Sequence, residues 1–524
     1  MTDEVMKIAQ ESMRGSFFLI SGTAISTVVL AVSAILIARL LGSDAYGQYS
    51  LVIVVPQLLF LFTDLGLNQG ITKFASDYKT TSDYCRLGSI IKHGLLLRVF
   101  MGVIISVFTF VFSDFLAAVI LQRPELSFLV QISAISVLFQ VLFATSVSSF
   151  VGMDKNEYNA LTLNIQSFAK TLIQILLIIM GFSVAGAIIG HVVSYLIGGV
   201  IGVGLVYFLL RKWKKEGVSG SFGFAANTKI LLHYGSPLYL STVLVGVVPL
   251  FQNIVLAFFV SDASIGNFKA ATNFAMLMTI LSVPIQTVML PAFSKLKNGG
   301  SNRVPDFFKA ANKYTALIVV PVAVSIIAFS GPIVHIVYGA TYELAPQFLW
   351  TYCLVYLLVG VGYLTLASFY NGLGETKVTM WISLITFVVL AVLSPLLTSV
   401  YGVLGLIGAY LIANASGQIY SSFYARRRYK IKFDNLSLLK IYGTAILSSV
   451  VPILILTYSG LSSVIGVAVG GVLFVFTYLT LMPIVKVVSP MELNQVSLAI
   501  QNIPILAKLG KIVIGYQQKL LYFT

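Results

Sequence analysis

The chain has 524 residues, of which 58% are hydrophobic and only 10% are charged. A soluble protein carries about 25% charged residues, so this composition excludes an ordinary soluble domain and indicates a polytopic membrane protein. The net charge of +15 is typical of basic cytoplasmic loops in such proteins, and we expect no nucleic-acid partner.

The predicted elements begin with residues 1–15, a segment that we expect to lie along the membrane interface. Apolar runs of about 20 residues then recur, each long enough to cross a bilayer as a helix. Residues 488–524 predict a cytoplasmic amphipathic tail, because lysines interrupt its shorter apolar pattern. The apolar runs predict an all-α membrane protein with about 14 spans, at residues 16–38, 46–66, 90–112, 126–150, 160–180, 184–210, 229–255, 268–293, 311–330, 345–370, 377–398, 402–425, 438–459 and 462–486.

The basic residues predict the orientation of these spans. With the N-terminus in the cytoplasm, only Arg39, Arg123 and Lys269 fall in external loops, while Arg98 and Lys170 fall inside spans. All other Lys and Arg residues then lie in cytoplasmic segments, in agreement with the positive-inside rule. We therefore expect a multi-pass protein of the cell membrane with both termini in the cytoplasm.

Three sequence matches share an offset of about 220 residues, which indicates an internal repeat. SDAYGQY (43–49) matches SDASIGNF (261–268), and GMDKNEY (152–158) matches GLGETKV (372–378). The sixth and twelfth spans also carry the same seam of small residues, which lets helix backbones approach closely in lipid. The seam consists of Gly186, Gly190, Ser194, Gly198 and Gly202 in one copy and of Gly405, Ala409, Ala413, Gly417 and Ser421 in the other.

The repeat predicts two parallel six-helix lobes, because an even number of spans makes both copies enter the membrane from the same side. The expected domains are an N-terminal lobe at 16–216, a C-terminal lobe at 217–432 and two extra helices at 433–487. Two similar lobes that face one another can rock about a shared cleft, so the repeat favours alternating access. The Asp–Gly segments would be capped external turns.

Enzymatic chemistry has no clear candidate residues in the sequence. There is no nucleophile–base pair, no phosphate-binding loop and no pair of carboxylates, and His191 has no partner at metal-ligand spacing. Cys85 and Cys353 are isolated and predict no disulfide framework. We expect no catalytic residue, no metal and no cofactor.

Several segments resemble the polysaccharide-unit flippases of the multidrug/oligosaccharidyl-lipid/polysaccharide (MOP) exporter superfamily. The segments are ARLLGSDAYGQYSL (38–51), TDLGLNQGITKFASDY (63–78), YGSPLYLSTVL (234–244), FVSDASIGNFKAATNF (259–274), NGLGETK (371–377) and YGVLGLIGAYLI (401–412). The resemblance implies two lobes in a V around a central cavity. It also implies export of a lipid-linked oligosaccharide to the outer leaflet, with a polysaccharide polymerase as a further partner.

The sequence differs in two ways from other branches of this superfamily, and these differences favour a lipid-linked oligosaccharide as the substrate. The lipid II flippases carry extra arginines inside the first helix, where this chain has Ser21, Ser26 and Ser33 among its polar residues. The multidrug antiporters carry acidic residues inside their lobes, whereas no carboxylate is predicted at mid-membrane here. A cation-coupled exporter of small amphiphiles or drugs stays the alternative, and a non-transporting scaffold for a polymerase is a third reading.

Lys170 is the main candidate for binding the substrate, because a charge in mid-membrane is costly and faces water or a partner. It lies in the middle of the fifth span, on a polar stripe that includes Asn164, Gln166 and Gln174. We expect this stripe to line the cavity and to attract the diphosphate or an acidic sugar. Gln57 and Asn273 are further amides inside spans, suited either to sugar hydroxyls or to hydrogen bonds between helices.

Arg98 and Arg39 are the other cationic candidates. Arg98 lies nearer the cytoplasmic end of span 3 and Arg39 closes span 1 on the outer side. Both side chains offer bidentate contacts to phosphate in the predicted cavity. The alternatives are snorkelling for Arg98 and an ion pair with Asp44 or Asp64 for Arg39, and these two carboxylates are also the candidates for ion coupling.

Overall fold

A computed structural model describes residues 2–214, 223–298, 304–459, 462–500 and 504–523, and these residues form helices without any strand. Short helical segments at Leu116–Ile120, Pro124–Leu126, Ile178–Phe182 and Leu354–Val361 connect longer helices. The helices are α1 Thr2–Leu61, α2 Leu67–Thr80, α3 Tyr84–Val111, α4 Ser113–Phe115, α5 Ser127–Gly152, α6 Asn156–Leu177, α7 Ser183–Lys214, α8 Phe224–Phe259, α9 Asp262–Ala275, α10 Leu277–Asn298, α11 Val304–Ala328, α12 Ser330–Tyr338, α13 Ala345–Cys353, α14 Thr365–Gly372, α15 Thr376–Tyr429, α16 Asn435–Tyr458, α17 Ser463–Ile484, α18 Pro490–Ile500 and α19 Pro504–Phe523.

Nine helices in the described part of the chain are long and apolar enough to cross a membrane, judged by length and composition. A tenth is added if the pair Ala345–Val361 and Thr365–Gly372, bent by 47°, is one span. Three of the nine, Phe18–Leu61, Asn156–Trp213 and Thr376–Tyr429, each contain two of the spans predicted from the sequence. The all-helical membrane fold is therefore confirmed, whereas the count of about 14 spans stays a prediction.

The backbone leaves helical geometry inside these three long helices, at positions in or next to the predicted loops. Gly42 in α1 has φ 78° and ψ 172°. Ser183 has φ 45° and ψ −127°, and Gly402 has φ 56° and ψ −137°. Ser183 and Gly402 occupy matching positions of the repeat, so both copies bend the chain in the same unusual way.

Helix α2 lies where the sequence predicted a loop after the second span. Leu67, Ile71 and Ala75 line one face of this helix and are buried, with Phe150 and Leu231 in the same apolar cluster. The polar residues between them made the segment read as a loop, although their spacing is helical. Burial of this face explains why the helix forms.

The two ends of the chain are also helical. Residues 2–15 continue directly into the first span as part of α1, and the side chains of residues 1–17 lie outside the described part of the structure. The tail forms α18 and α19, and α19 packs on α17 through Tyr516, which contacts Thr480 (2.9 Å between oxygens) and the ring of Phe476. The tail helix predicted to be interfacial therefore also contacts the protein.

Backbone proximity divides the chain into two compact units. The first unit contains Met1–Lys269 and Thr398–Val403, and the second contains Ala270–Leu397 and Leu404–Thr524. The first unit thus includes α8, which lies beyond residue 216 where the predicted first lobe ends. The predicted lobe boundaries, and the V around a central cavity, stay predictions.

The repeat is visible as duplicated local contacts within each unit. A Cβ on Gly152 would meet the Thr72 carbonyl oxygen at 2.8 Å, and a Cβ on Gly372, its counterpart, would meet that of Leu290 at 2.6 Å. The following turns are alike as well, because each closes with a 2.8 Å hydrogen bond, from Lys155 N to Phe150 O and from Glu375 N to Tyr370 O. The duplicated sequence therefore produces duplicated packing at these points.

The tail is attached to the second unit by an ion pair. Lys313 Nζ on α11 lies 2.7 Å from Glu492 Oε1 on α18, and Ser489 N donates to Glu492 Oε2 at 2.8 Å. Burial disfavours the charged carboxylate, but the hydrogen bonds from Lys313 and Ser489 outweigh it and lower the pKa of Glu492 below its usual value. The ionised form is therefore the one that holds the tail.

We expect docking of α18 to weaken at acidic pH. A lowered pKa contributes stability above the ordinary pKa of the group, and this stability is lost as the pH falls below about 4. Glu492→Gln should release the tail at neutral pH as well, seen as faster proteolysis after residue 489. Asp77→Asn, which removes an exposed pair with Lys73, is the control, and equal protection of the tail in both variants would contradict the assignment.

Candidate functional site

Lys170 lies on the interior face of α6. The opposite face carries the large exposed apolar side chains Leu161, Phe168, Leu172 and Leu176. At 100° per residue, Lys170 is nearly opposite Phe168 and Leu172. Its neighbours one turn away on either side, Gln166 and Gln174, are buried. The amine of Lys170 is thus directed into the first unit and away from the apolar outer surface.

The amides of the predicted polar stripe form hydrogen bonds between helices. Gln174 Nε2 donates to Tyr49 Oη at 3.0 Å and to the Ala187 carbonyl oxygen at 2.6 Å. Gln166 Nε2 donates to Ser194 Oγ at 3.3 Å. Both side chains are buried here, and their contact with the substrate stays a prediction.

Asn164 has the same role, because its Nδ2 donates to the Gly22 carbonyl oxygen at 3.3 Å. The glycine seam of α7 makes room for the longer amides. A Cβ on Gly190 would lie 2.6 Å from Gln174 Cγ, and one on Gly198 would lie 2.9 Å from Gln166 Cβ. The small residues therefore allow the polar stripe of α6 to reach α7 across a close helix contact.

Lys170 remains a cation without a carboxylate partner. Within the described residues, no acidic oxygen lies within 4.0 Å of its Nζ. His191 and Tyr195 on α7 are within electrostatic reach of it. His191 is only 2% exposed, and both of its ring nitrogens lack a hydrogen-bond partner among the described residues. The interior of the first unit thus holds a basic, incompletely satisfied polar cluster.

Arg98 is fully buried (0% exposed), and its predicted contact with the substrate stays a prediction. Its guanidinium donates to Asn68 Oδ1, to Thr145 Oγ1 at 3.1 Å and to Thr63 Oγ1 at 3.4 Å. Asp64 Oδ1 lies 3.8 Å from Nη2. Arg98 thus holds together the break between α1 and α2, where helical hydrogen bonds are interrupted and polar groups need partners.

Asp64 lies beside Arg98, and the alternative in which Arg39 pairs with Asp44 or Asp64 stays a prediction. Arg39 and Asp44 are exposed on either side of Gly42, and Gln57 is exposed on α1. Asn273 is half-buried on α9 and belongs to the second unit. Substrate contact by Arg39, Gln57 and Asn273 and ion coupling by Asp44 stay predictions.

A cavity that was not predicted from the sequence lies beside the break between α1 and α2. It measures about 820 Å³, and its basic and polar lining residues on α8 are Thr228, Lys229, His233, Ser236 and Tyr239. The other lining residues are apolar, namely Leu65 from the break and Phe224, Ala225 and Leu232 from α8. The spacing of Lys229, His233 and Ser236 places them on one helix face, and this spacing was the available sequence signal.

Helix α8 also contacts the backbone of the break between α1 and α2. Tyr239 Oη donates to the Leu61 carbonyl oxygen at 3.1 Å. Gly66 and Gly235 approach so closely that a Cβ on Gly235 would lie 2.2 Å from the Gly66 carbonyl oxygen. No larger residue fits at either glycine without a shift of backbone.

The two copies of the repeated Asp–Gly segment meet each other at a second crossing, which is also inside the first unit. A Cβ on Gly47 would lie 1.9 Å from the Asp262 carbonyl oxygen, and a Cβ on Gly266 would lie 1.8 Å from that of Ser43. Arg123 stabilises the same end, because its Nε donates to Asp262 Oδ1 at 2.8 Å. The duplicated turns are therefore more than capped hairpins, since they form a reciprocal helix contact.

Comparison with known proteins identifies a family and a fold. Residues 12–297 match the family model described as polysaccharide biosynthesis protein, and no curated protein sequence matches the chain. The structure is similar to an inward closed conformation of the lipid II flippase MurJ, with 19% identity, a TM-score of 0.68, and coverage of 88% of this chain and 98% of that one. It is also similar to an inward-facing MATE family multidrug transporter of the MOP superfamily. That match has 16% identity, a TM-score of 0.64, and coverage of 79% of this chain and 98% of that one. At these identities the structural likeness shows the fold alone.

Proposed function

This chain belongs to the polysaccharide biosynthesis protein family, and on that premise we propose that it is a flippase for a polyprenyl-(di)phosphate-linked oligosaccharide. It is a multi-pass membrane protein with the fold of the MOP transporters. In our proposal it moves the headgroup from the cytoplasmic to the outer leaflet of the cell membrane by alternating access, while the lipid tail stays in the bilayer. Polysaccharide polymerases would use the product.

The observation that supports this substrate class best is the cavity beside the α1–α2 break. A diphosphate-linked sugar needs a cation, hydroxyl or amide groups and room for a polar headgroup. Lys229 and His233 are exposed at this cavity, and Ser236 and Tyr239 lie on the same lining. With the cytoplasmic orientation predicted from the basic residues, the cavity would receive the headgroup before translocation.

Lys170 would act at longer range. An unpaired cation in a medium of low dielectric constant creates a positive potential that favours an anionic headgroup. With an inside-negative membrane, outward movement of each negative charge also gains about 2.3 kcal/mol per 100 mV. The membrane potential therefore contributes to export of such a substrate in this mechanism.

A cation-coupled drug exporter is the second candidate, because the fold is shared with a MATE transporter. Such coupling needs a carboxylate inside the membrane that is free to bind a proton or sodium ion. Asp64 is close to the spans but lies beside the guanidinium of Arg98. This pairing makes Asp64 a poor carrier, so we favour the flippase.

The proposal is tested by deleting the protein from its cell and following the lipid-linked oligosaccharide. We expect the glycolipid to accumulate and to become inaccessible to a membrane-impermeant oxidant added outside intact cells. Expression of the chain should restore access. If the glycolipid reaches the outer leaflet equally well without the protein, or if only export of cationic dyes is lost, the proposed substrate is wrong.

Lys170→Met should reduce export in the same assay by about tenfold, which corresponds to loss of about 1.4 kcal/mol of electrostatic attraction. Lys170→Arg should keep most activity, since it keeps the charge. The control Leu172→Met changes the apolar outer face of the same helix. Normal export by Lys170→Glu would exclude an electrostatic role.

A further inference from the structure

The chain reverses direction just after α15 and forms a basic cavity there. Lys430 has a left-handed backbone, with φ 53°, and Ile431 N then bonds back to the Ala425 carbonyl oxygen at 3.4 Å. The side chain of Ile431 is buried and fixes this turn. As a result, Lys430 and Lys432 return to the end of the helix that carries Arg426.

The cavity measures about 600 Å³. Its lining consists of Arg426, Lys430, Ile431, Lys432, Phe433 and Asn435. The three cationic residues are exposed, and no carboxylate is part of the lining. The cavity therefore presents three positive charges, together with the amide of Asn435, to a ligand that approaches the protein surface.

The nearby carboxylates already have partners and do not neutralise the cavity. Asp434 accepts a hydrogen bond from Ser437 N at 3.3 Å and lies 3.4 Å from Lys309 Nζ. Glu375 accepts a hydrogen bond from Tyr429 Oη at 2.8 Å. Lys309 thus offsets the charge of Asp434, and neither carboxylate is part of the cavity lining.

The cavity adjoins apolar surface suited to lipid chains. Leu436 and Leu439 on α16 are 66% and 71% exposed and follow directly after the cavity in the chain. Arg426 lies over the ring of Phe433 at 5.3 Å, and Arg427 lies over that of Phe423 at 4.3 Å. The site therefore joins phosphate-binding groups to an exposed apolar strip, which is the chemistry of a lipid headgroup with its acyl chains.

We propose that this cavity binds the phosphate of an anionic phospholipid of the cytoplasmic leaflet, with the acyl chains along Leu436 and Leu439. Basic residues at the end of a span also act as topology anchors, but that role requires neither a cavity nor an adjacent apolar strip. The proposal is independent of the transported substrate and concerns a lipid that stays in place.

The test uses the full-length purified protein in a neutral detergent, with native mass spectrometry to count bound phosphatidylglycerol and phosphatidylcholine. Each basic residue near an anionic membrane surface contributes about fivefold in affinity. Lys430→Gln/Lys432→Gln should therefore weaken phosphatidylglycerol binding by about 25-fold, and Arg426→Gln alone by about fivefold. Phosphatidylcholine binding should not change.

The matched control is Arg211→Gln/Lys212→Gln. These exposed residues end α7, the counterpart of α15 in the repeat, and line neither of the two cavities described above. The control removes the same charge and should keep full lipid binding. Equal losses in both double variants, or no loss in either, would overturn the site. Inorganic phosphate that competes as tightly as the lipid would overturn its assignment to a phospholipid.

Discussion

Gly47→Ala and Gly266→Ala should each block most export, because neither added methyl group has space. A Cβ would lie 1.9 Å from the Asp262 carbonyl oxygen in the first variant and 1.8 Å from the Ser43 carbonyl oxygen in the second. The helices must then separate, and overpacking of this kind costs about 1–3 kcal/mol. If the protein exchanges between two conformations, this cost lowers the equilibrium constant for the one with the closed crossing by about 5- to 150-fold.

Gly204→Ala is the control, because a Cβ at Gly204 meets nothing within 4 Å. The measurement is export in the oxidant assay, together with labelling of Ser43→Cys by an impermeant thiol reagent in a chain without Cys85 and Cys353. We expect faster labelling in the Gly47→Ala background and unchanged labelling with Gly204→Ala. Normal export by both crossing variants would show that closure at this point is not needed for transport.

Arg98→Met should destabilise the protein strongly. The substitution leaves Asp64, Asn68 and Thr145 without the guanidinium that now satisfies them. Removal of one partner from a buried charged network typically costs about 3–5 kcal/mol. The expected result is a marked drop in the midpoint of thermal unfolding in detergent, with loss of export.

Arg86→Met on the same helix is the comparison, because its pair with Asp83 is exposed at the surface. Such pairs contribute about 0–1 kcal/mol, so its unfolding midpoint should stay close to that of the unchanged protein. Adding Asp64→Asn to Arg98→Met should restore part of the stability by removing the unpaired charge. If Arg98→Met unfolds like Arg86→Met, the buried network has no structural role.

The sequence predicted the helical membrane fold because long apolar runs allow few other structures in lipid. The predicted loop that contains Gly42 and the predicted start of a span at Gly402 also coincide with breaks in the helices. It missed α2 because that segment is mostly polar, and its helical nature depends on burial of Leu67, Ile71 and Ala75 against distant helices. Such contacts between distant parts of the chain are not encoded in local composition.

The candidate site was predicted less well. Helical periodicity predicted a polar stripe on α6 that includes Lys170, but periodicity does not show which residues that face contacts. Gln166 and Gln174 contact the glycine seam of α7, which the sequence had revealed without showing its partner. Arg98 was noticed for its charge, whereas its hydrogen-bond partners Thr63, Asn68 and Thr145 come from the α1–α2 break, α2 and α5.

The crossing of Gly47 with Gly266 has the symmetry of a homodimer. Each glycine meets the segment equivalent to its own in the other copy of the repeat, as happens at the isologous interface of two identical subunits. If a six-helix protein existed before the duplication, two copies of it would therefore have paired through the same surface. After fusion, substitutions can occur in one copy of the repeat and not in the other. At the crossing of Gly47 with Gly266, however, a substitution in one copy also affects the packing of the other.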